Sequence, residues 1–169
     1  ANAQTDNGLI RHGNTEFKNG NFSEAEVNYR KSLDKEYSPK AQFNLGDALY
    51  EQKNYEDAQK NFSEVAERNV SKEIESDAYY NLGNTYMAQE KYAEAFDSYK
   101  KSLKSNPKND DARYNLEYAR WKMIQQQQQQ QNQQNQQQEQ KQVQQLRKKL
   151  KSWLMKMLDS FCLTLARLR

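Results

Sequence analysis

One cysteine, Cys162, and one histidine, His12, stand in 169 residues. A lone cysteine excludes an intramolecular disulfide framework and any multi-cysteine metal site. A lone histidine excludes a two-histidine metal centre. Five glycines and two prolines are too few for a turn-rich sandwich. No stretch approaches the roughly 18 uninterrupted apolar residues of a membrane-spanning helix. With 35% hydrophobic residues and a mean hydropathy of −1.30, a single large core is excluded as well. What remains is a mostly helical chain, long enough for one domain with an appendage.

The net charge of +3 is an average of two unlike parts. Residues 1–122 carry 18 Lys+Arg against 21 Asp+Glu, a net of −3, whereas residues 123–169 carry 8 against 2, a net of +6. Between them, 16 of the 21 residues from Gln125 to Gln145 are glutamine. The chain opens Ala1-Asn2-Ala3-Gln4, the small-x-small pattern that closes a secretory signal peptide. Residues 1–6 are therefore read as an export-site remnant and a disordered N-terminus. The expectation is a protein of the periplasm or cell envelope, exported by a cleaved signal peptide.

An internal repeat organises residues 7–122. Aligned on Gly13, Gly46 and Gly83, each unit has an aromatic nine residues on (Phe22, Tyr55, Tyr92). Twelve residues on comes an alanine (Ala25, Ala58, Ala95), and sixteen on a second aromatic (Tyr29, Phe62, Tyr99). The steps between units are 33 and 37 residues, which places a short insertion at 69–73. A fourth, partial unit begins at Asp110, with Glu117 where glycine is expected. Small residues let two antiparallel helices of one hairpin close together, rings fill the wider gaps, and Pro39 and Pro107 punctuate the unit ends. A lone hairpin leaves one apolar face bare, so the units stack.

This pattern resembles the tetratricopeptide repeat. The resemblance implies an all-α solenoid of about three and a half helical hairpins that binds other proteins without catalysing a reaction. Within that family the chain is most similar to the periplasmic proteins of Bacteroides aerotolerance (Bat) clusters. That likeness rests on the exported-looking start followed by Gly8-Leu9-Ile10-Arg11-His12-Gly13-Asn14, on the repeat number, and on the Gln-rich segment after Asn115-Leu116-Glu117-Tyr118-Ala119-Arg120. It implies membrane-anchored von Willebrand A-domain partners in an envelope complex that serves aerotolerance or the stress response.

In such an array the first helix of each unit lines the concave face. Two places before the marker glycine stand Arg11, Asn44, Asn81 and, in the partial unit, Asn115; one place after it stand Asn14, Asp47 and Asn84. Just before the asparagines lie Phe43, Tyr80 and Tyr114. An asparagine amide both donates and accepts, and so can hold the backbone of an extended peptide. The flanking rings supply apolar contact. The same asparagines could instead cap or bridge neighbouring helices, with the rings as core between units. Resemblance also supplies a carboxylate-clamp subtype that grips chaperone C-termini. Its basic positions fall on Ile10, Asp77 and Asn81 here, so a clamp is not expected.

No cofactor, metal or small-molecule substrate is expected. The glycines are isolated and spaced at the repeat period rather than gathered into a phosphate loop. His12 takes the place of Leu45 and Leu82 in the later units and reads as a packed or partly exposed helix residue.

Residues 123–142 have no apolar residue beyond Ile124 and Met123, and form either a helical stalk or a disordered linker. From 143 to 169 an apolar stripe returns: Leu146, Leu150, Trp153, Leu154, Met157, Leu158 and Phe161, at three- and four-residue steps among lysines and arginines. A basic amphipathic helix of this kind lies in an anionic membrane surface, or docks on a partner or on its own repeats. Its basic residues sit on one short helix, and no nucleic-acid partner is expected. Cys162, beside the stripe, is expected to be buried. Two functions compete: an adaptor that holds a partner peptide or helix in the concave groove, and a peripheral membrane-binding component acting through the tail.

Overall fold

The computed structural model describes residues 3–167, and the side chains of residues 8–163. Among them are seven α-helices and no strand: α1 (Ala3–Lys18), α2 (Phe22–Leu33), α3 (Pro39–Glu51), α4 (Tyr55–Glu67), α5 (Lys72–Ala88), α6 (Tyr92–Ser105) and α7 (Asp110–Arg167). The fold is the all-α repeat array the spacing predicts. Helix α1 begins at Ala3, inside the segment read as a disordered remnant; residues 1 and 2 lie outside the described residues. The chain divides into two compact units, the first ending at Met123 and the second beginning at Ile124.

In the first unit, consecutive helices pair as hairpins, and the reason lies in the three marker glycines. A Cβ on Gly13 would stand 2.6 Å from the Tyr29 ring, one on Gly46 2.7 Å from Phe62, and one on Gly83 2.5 Å from Tyr99. Each glycine thus opens the notch that its own hairpin's second aromatic fills, and all three rings are buried. Ala25, Ala58 and Ala95, also buried, bring the helices together one turn earlier. The hairpin turns repeat as well. Seven residues after each marker glycine the backbone is left-handed, at Gly20 (φ 80°), Lys53 (φ 61°) and Glu90 (φ 58°). Only the first of the three carries the residue that adopts this conformation without strain.

Two helix starts are set by serine caps: Ser38 Oγ accepts from the Ala41 N–H ahead of Pro39, and Ser71 Oγ accepts from the Ile74 N–H. The insertion expected at 69–73 is not a longer loop. Helix α5 has 17 residues against 13 in α3, so the four extra residues form an additional first turn of α5. Ser71 starts the helix that much earlier.

The second unit is the later part of α7. The Gln-rich stretch is helical, and every side chain from Gln126 to Leu163 is exposed. The apolar stripe is continuous in space as in sequence, with Leu146, Leu150, Trp153, Leu154, Met157, Leu158 and Phe161 all exposed. Cys162, expected to be buried beside it, is exposed too, because nothing in this unit packs on that side of the helix. Residues 168 and 169 lie outside the described residues. No described helix is long and apolar enough to cross a membrane.

Candidate functional site

Four cavities run along the first helices of the repeats and join through shared residues. One of about 250 Å³ is lined by Pro39, Lys40, Phe43, Asn44, Ile74 and Asp77. Lys40 and Asn44 also line the next, of about 250 Å³, with Asn14, Phe17, Lys18, Tyr29 and Asp47. Asp47 continues into a third, of about 210 Å³, with Tyr50, Glu51, Phe62, Asn81 and Asn84. Tyr50 and Asn84 open into the last, of about 430 Å³, whose walls include Met87, Tyr92, Asn115, Tyr118 and Lys122. A groove through three and a half units is a place for an extended chain rather than for a compact small molecule.

Its polar residues are bound to one another in a ladder. Asn44 Nδ2 donates to Asn14 Oδ1 at 2.8 Å, Asn81 Nδ2 to Asp47 Oδ1 at 2.8 Å, and Asn115 Nδ2 to Asn84 Oδ1 at 3.1 Å. Asn115 Nδ2 also donates to the Tyr80 hydroxyl at 3.3 Å. Each rung joins one unit to the unit before it. The bridging role that asparagine chemistry allows is therefore realised in all three rungs, and it uses only half of each amide. Among the described residues, Oδ1 of Asn44, Asn81 and Asn115 and Nδ2 of Asn14 and Asn84 have no protein partner. Three fixed acceptors and two fixed donors thus stand along the groove, the complement of a peptide backbone.

The buried tyrosines lock the rungs at both ends. Tyr29 Oη donates to Asn14 Oδ1 at 2.8 Å and Tyr99 Oη to Asn84 Oδ1 at 2.7 Å. Burial, with the Asp47 carboxylate nearby, pushes the Tyr29 phenol up to about 12. Burial, with Tyr80 nearby, raises Tyr99 as well. Both remain proton donors at neutral pH. The middle unit differs: its ring is Phe62 and its acceptor Asp47, so the hydroxyl donor is missing where the carboxylate stands. Burial pushes Asp47 up to about 7, against the hydrogen bond from Asn81, which lowers it; Glu51 adds a further upward push.

The predicted site residues do not all share one environment. Phe43 and Tyr80 are half-buried and pack edge-on or tilted against the notch rings Phe62 and Tyr99, at 5.5 and 5.9 Å between centroids. Phe43 belongs both to the core and to the wall of the first cavity, whereas Tyr80 packs on the core and lines none of the four cavities. Tyr114 is 74% exposed: Phe43 and Tyr80 pack on a ring of their own hairpin's second helix, and the partial unit has no such helix among the described residues. Arg11 is exposed, as is His12, which does not pack as Leu45 and Leu82 do. Lys18, Lys40, Tyr50 and Glu51 line the groove and were not singled out from the sequence; their offsets from the marker glycine would have found them. Among the described residues no group of three His, Cys, Asp or Glu side chains is placed to hold a metal ion.

Comparison with known proteins agrees with this geometry. Tetratricopeptide-repeat family models match residues 10–69 and 76–109, together more than half of the chain. No curated protein matches the chain in sequence. Among solved structures it is similar to the first tetratricopeptide domain of Spaghetti (RPAP3) bound to the HSP90 peptide SRMEEVD. That match has 27% identity and a TM-score of 0.66 over 72% of this chain and 94% of that one. The first such domain of human RPAP3 is similar at 27% identity and a TM-score of 0.65, over 70% and 92% of the two chains. Yeast Sti1, in its TPR2AB–HSP90 complex, shares the fold at 21% identity and a TM-score of 0.68, over 73% of this chain and 49% of that one. The repeat array of this chain belongs to the tetratricopeptide-repeat family.

Proposed function

We propose that this protein is a non-enzymatic adaptor that holds an extended peptide segment of a protein partner in the groove along its repeats. The observation that carries the reading is the row of half-used amides, Asn14, Asn44, Asn81, Asn84 and Asn115, each bonded through one of its two polar atoms and open at the other. Peptide capture by the 27%-identical relative, which is bound to an HSP90 peptide, supports it. The ligand differs, since Ile10, Asp77 and Asn81 offer no cation for a terminal carboxylate. The Bat resemblance extends the proposal to the cell envelope. There the partner would be a membrane-anchored von Willebrand A-domain protein.

The test is binding of the full-length chain to an array of immobilised decapeptides, beside Asn44→Ala/Asn81→Ala and Tyr118→Ala variants, Tyr118 lying on the wall of the last cavity. Because Asn44 and Asn81 also tie units together, the double variant is expected to lose about 1 kcal/mol of stability per rung, so its folded fraction is checked by circular dichroism. Tyr118 is 42% exposed and is not part of the buried core. Peptides captured by the parent and released by both variants agree with the proposal; capture unchanged in both variants removes it.

A second reading is carried by a different observation, the exposed stripe Leu146–Phe161 beside Arg147, Lys148, Lys149, Lys151 and Lys156. An exposed apolar face of this extent on a basic helix suits the surface of an anionic membrane. Flotation with phosphatidylglycerol vesicles, lost in Leu150→Glu/Leu154→Glu, would favour it. No flotation of the parent chain would end it.

A further inference from the structure

The middle of the groove departs from the pattern of its ends, and the departure has a chemical sense. In the first and third units the residue after the marker glycine is an asparagine whose Oδ1 receives two donors, a tyrosine hydroxyl and the next unit's amide. In the second unit both partners change together. The acceptor is the carboxylate of Asp47, and the ring that would donate is Phe62. Asn81 donates to Oδ1, and Oδ2 has no hydrogen-bond partner among the described residues.

Among the described residues no cation pairs with this charge. Lys18 and Lys40 line the same cavity as Asp47, yet neither forms an ion pair with it within 4.0 Å. Asp47 is also the residue shared by two adjoining cavities, so its open oxygen stands where a ligand passes from one to the next. Phe62, Tyr50 and Tyr29 supply the surrounding rings. A half-buried carboxylate with an open oxygen, walled by aromatics, is matched by a cation carried on an aliphatic stem.

We infer that the groove selects a peptide bearing a lysine or arginine, whose side-chain cation seats on Asp47 Oδ2 at the junction of the two central cavities. This rests on the adaptor reading above and adds the chemistry of its ligand. Burial already pushes the Asp47 carboxyl upward; a seated cation would offset that cost and hold the group ionised. Glu51, on the next turn of α3, adds a second carboxylate to the third cavity, whereas Lys18 and Lys40 line the second. The acidic C-terminal peptide held by the RPAP3 relative would meet Asp47 as a like charge, which disfavours it.

The experiment is a positional-scanning array of acetylated, amidated decapeptides, probed with the full-length chain and with Asp47→Asn. Asparagine is the residue at this position in the first and third units, so Asp47→Asn removes the charge and keeps an acceptor for Asn81. The basic tail is identical in both proteins, and its contribution cancels in the difference. The expected result is a preference for lysine or arginine at one array position, lost in Asp47→Asn with about a tenfold fall in affinity for the preferred peptides. Peptide capture with no preference for a cation, with a preference that survives Asp47→Asn, or with a preference for acidic residues overturns this inference and leaves the adaptor reading standing. Absence of any captured peptide overturns both.

Discussion

Tyr99 and Trp153 are both large aromatics on helices whose sequence patterns repeat at helical spacing, yet Tyr99 is 1% exposed and Trp153 is 56% exposed. The difference lies in what stands opposite. Tyr99 faces Gly83, whose missing side chain leaves a notch the ring fills, and Ala95 lets the two helices approach. The stripe from Leu146 to Phe161 has no glycine or alanine hairpin partner, and the second unit consists of one helix. Apolar periodicity tells which residues share a face. It is the recurrence of small residues on a following or preceding helix that tells whether the face is covered.

The comparison is broken most sharply at the notches. Gly83→Val places branched carbon atoms where a Cβ alone would already stand 2.5 Å from the Tyr99 ring. Urea denaturation is expected to show a loss of about 3 kcal/mol, at the upper end of overpacking costs. The matching change in the other unit, Leu150→Ala, should move the transition of the repeats by less than about 0.5 kcal/mol, since Leu150 is exposed. A loss at Leu150 as large as at Gly83 would mean that the tail is part of the folded core.

The next effect depends on pH and concerns the one notch whose polar partner is charged. The carboxyl of Asp47 lies at about 7 in the folded protein, above its unfolded range near 3.9. Between those values the folded state binds the extra proton, so this group's contribution is full at low pH and is lost as pH rises from about 4 to 7. The charged groups lining the same cavities are Lys18, Lys40 and Glu51, with the phenols of Tyr29 and Tyr50. Asp47→Asn should therefore melt above the parent at pH 8 and close to it at pH 4. An equal offset at the two pH values would contradict the upward shift.

The smallest effect sits in the hairpin turns. Lys53 and Glu90 hold the left-handed conformation that Gly20 holds without strain. Replacing Lys53 or Glu90 with glycine is expected to stabilise the repeats by about 1 kcal/mol, read from the urea midpoint. Gly20→Ala should cost a similar amount. No gain at Lys53 would show that its side chain compensates the strain locally.

Much of the first unit was legible from residue spacing because the notch is a local, one-to-one fit: Gly13 with Tyr29, Gly46 with Phe62, Gly83 with Tyr99. The insertion between the second and third units was visible as a 37-residue step. Its form as an extra turn of α5 was not, because it depended on where the Ser71 cap stopped the loop. The groove was legible as rows of asparagines and less so as chemistry. Spacing aligned Asn44 with Asn81, and did not say that each would donate backwards into Asn14 or Asp47 across a unit boundary. Cys162 shows the same limit in the tail: a small apolar residue next to a stripe was expected to be buried, and no second helix covers it.

The repeat length, the small and large residues that interlock within each hairpin, and the opposite charges of the two parts of the chain are properties of residue identity at fixed spacing. They follow from the helical period and from side-chain volume, both local quantities. Which half of each asparagine stays open, which oxygen of Asp47 lacks a donor, and how far Tyr114 and the tail stripe stand in solvent were decided by tertiary structure. Those depend on what the neighbouring unit brings within about 3 Å, and that distance is set by the stacking of helices that lie 30 or more residues apart in the chain.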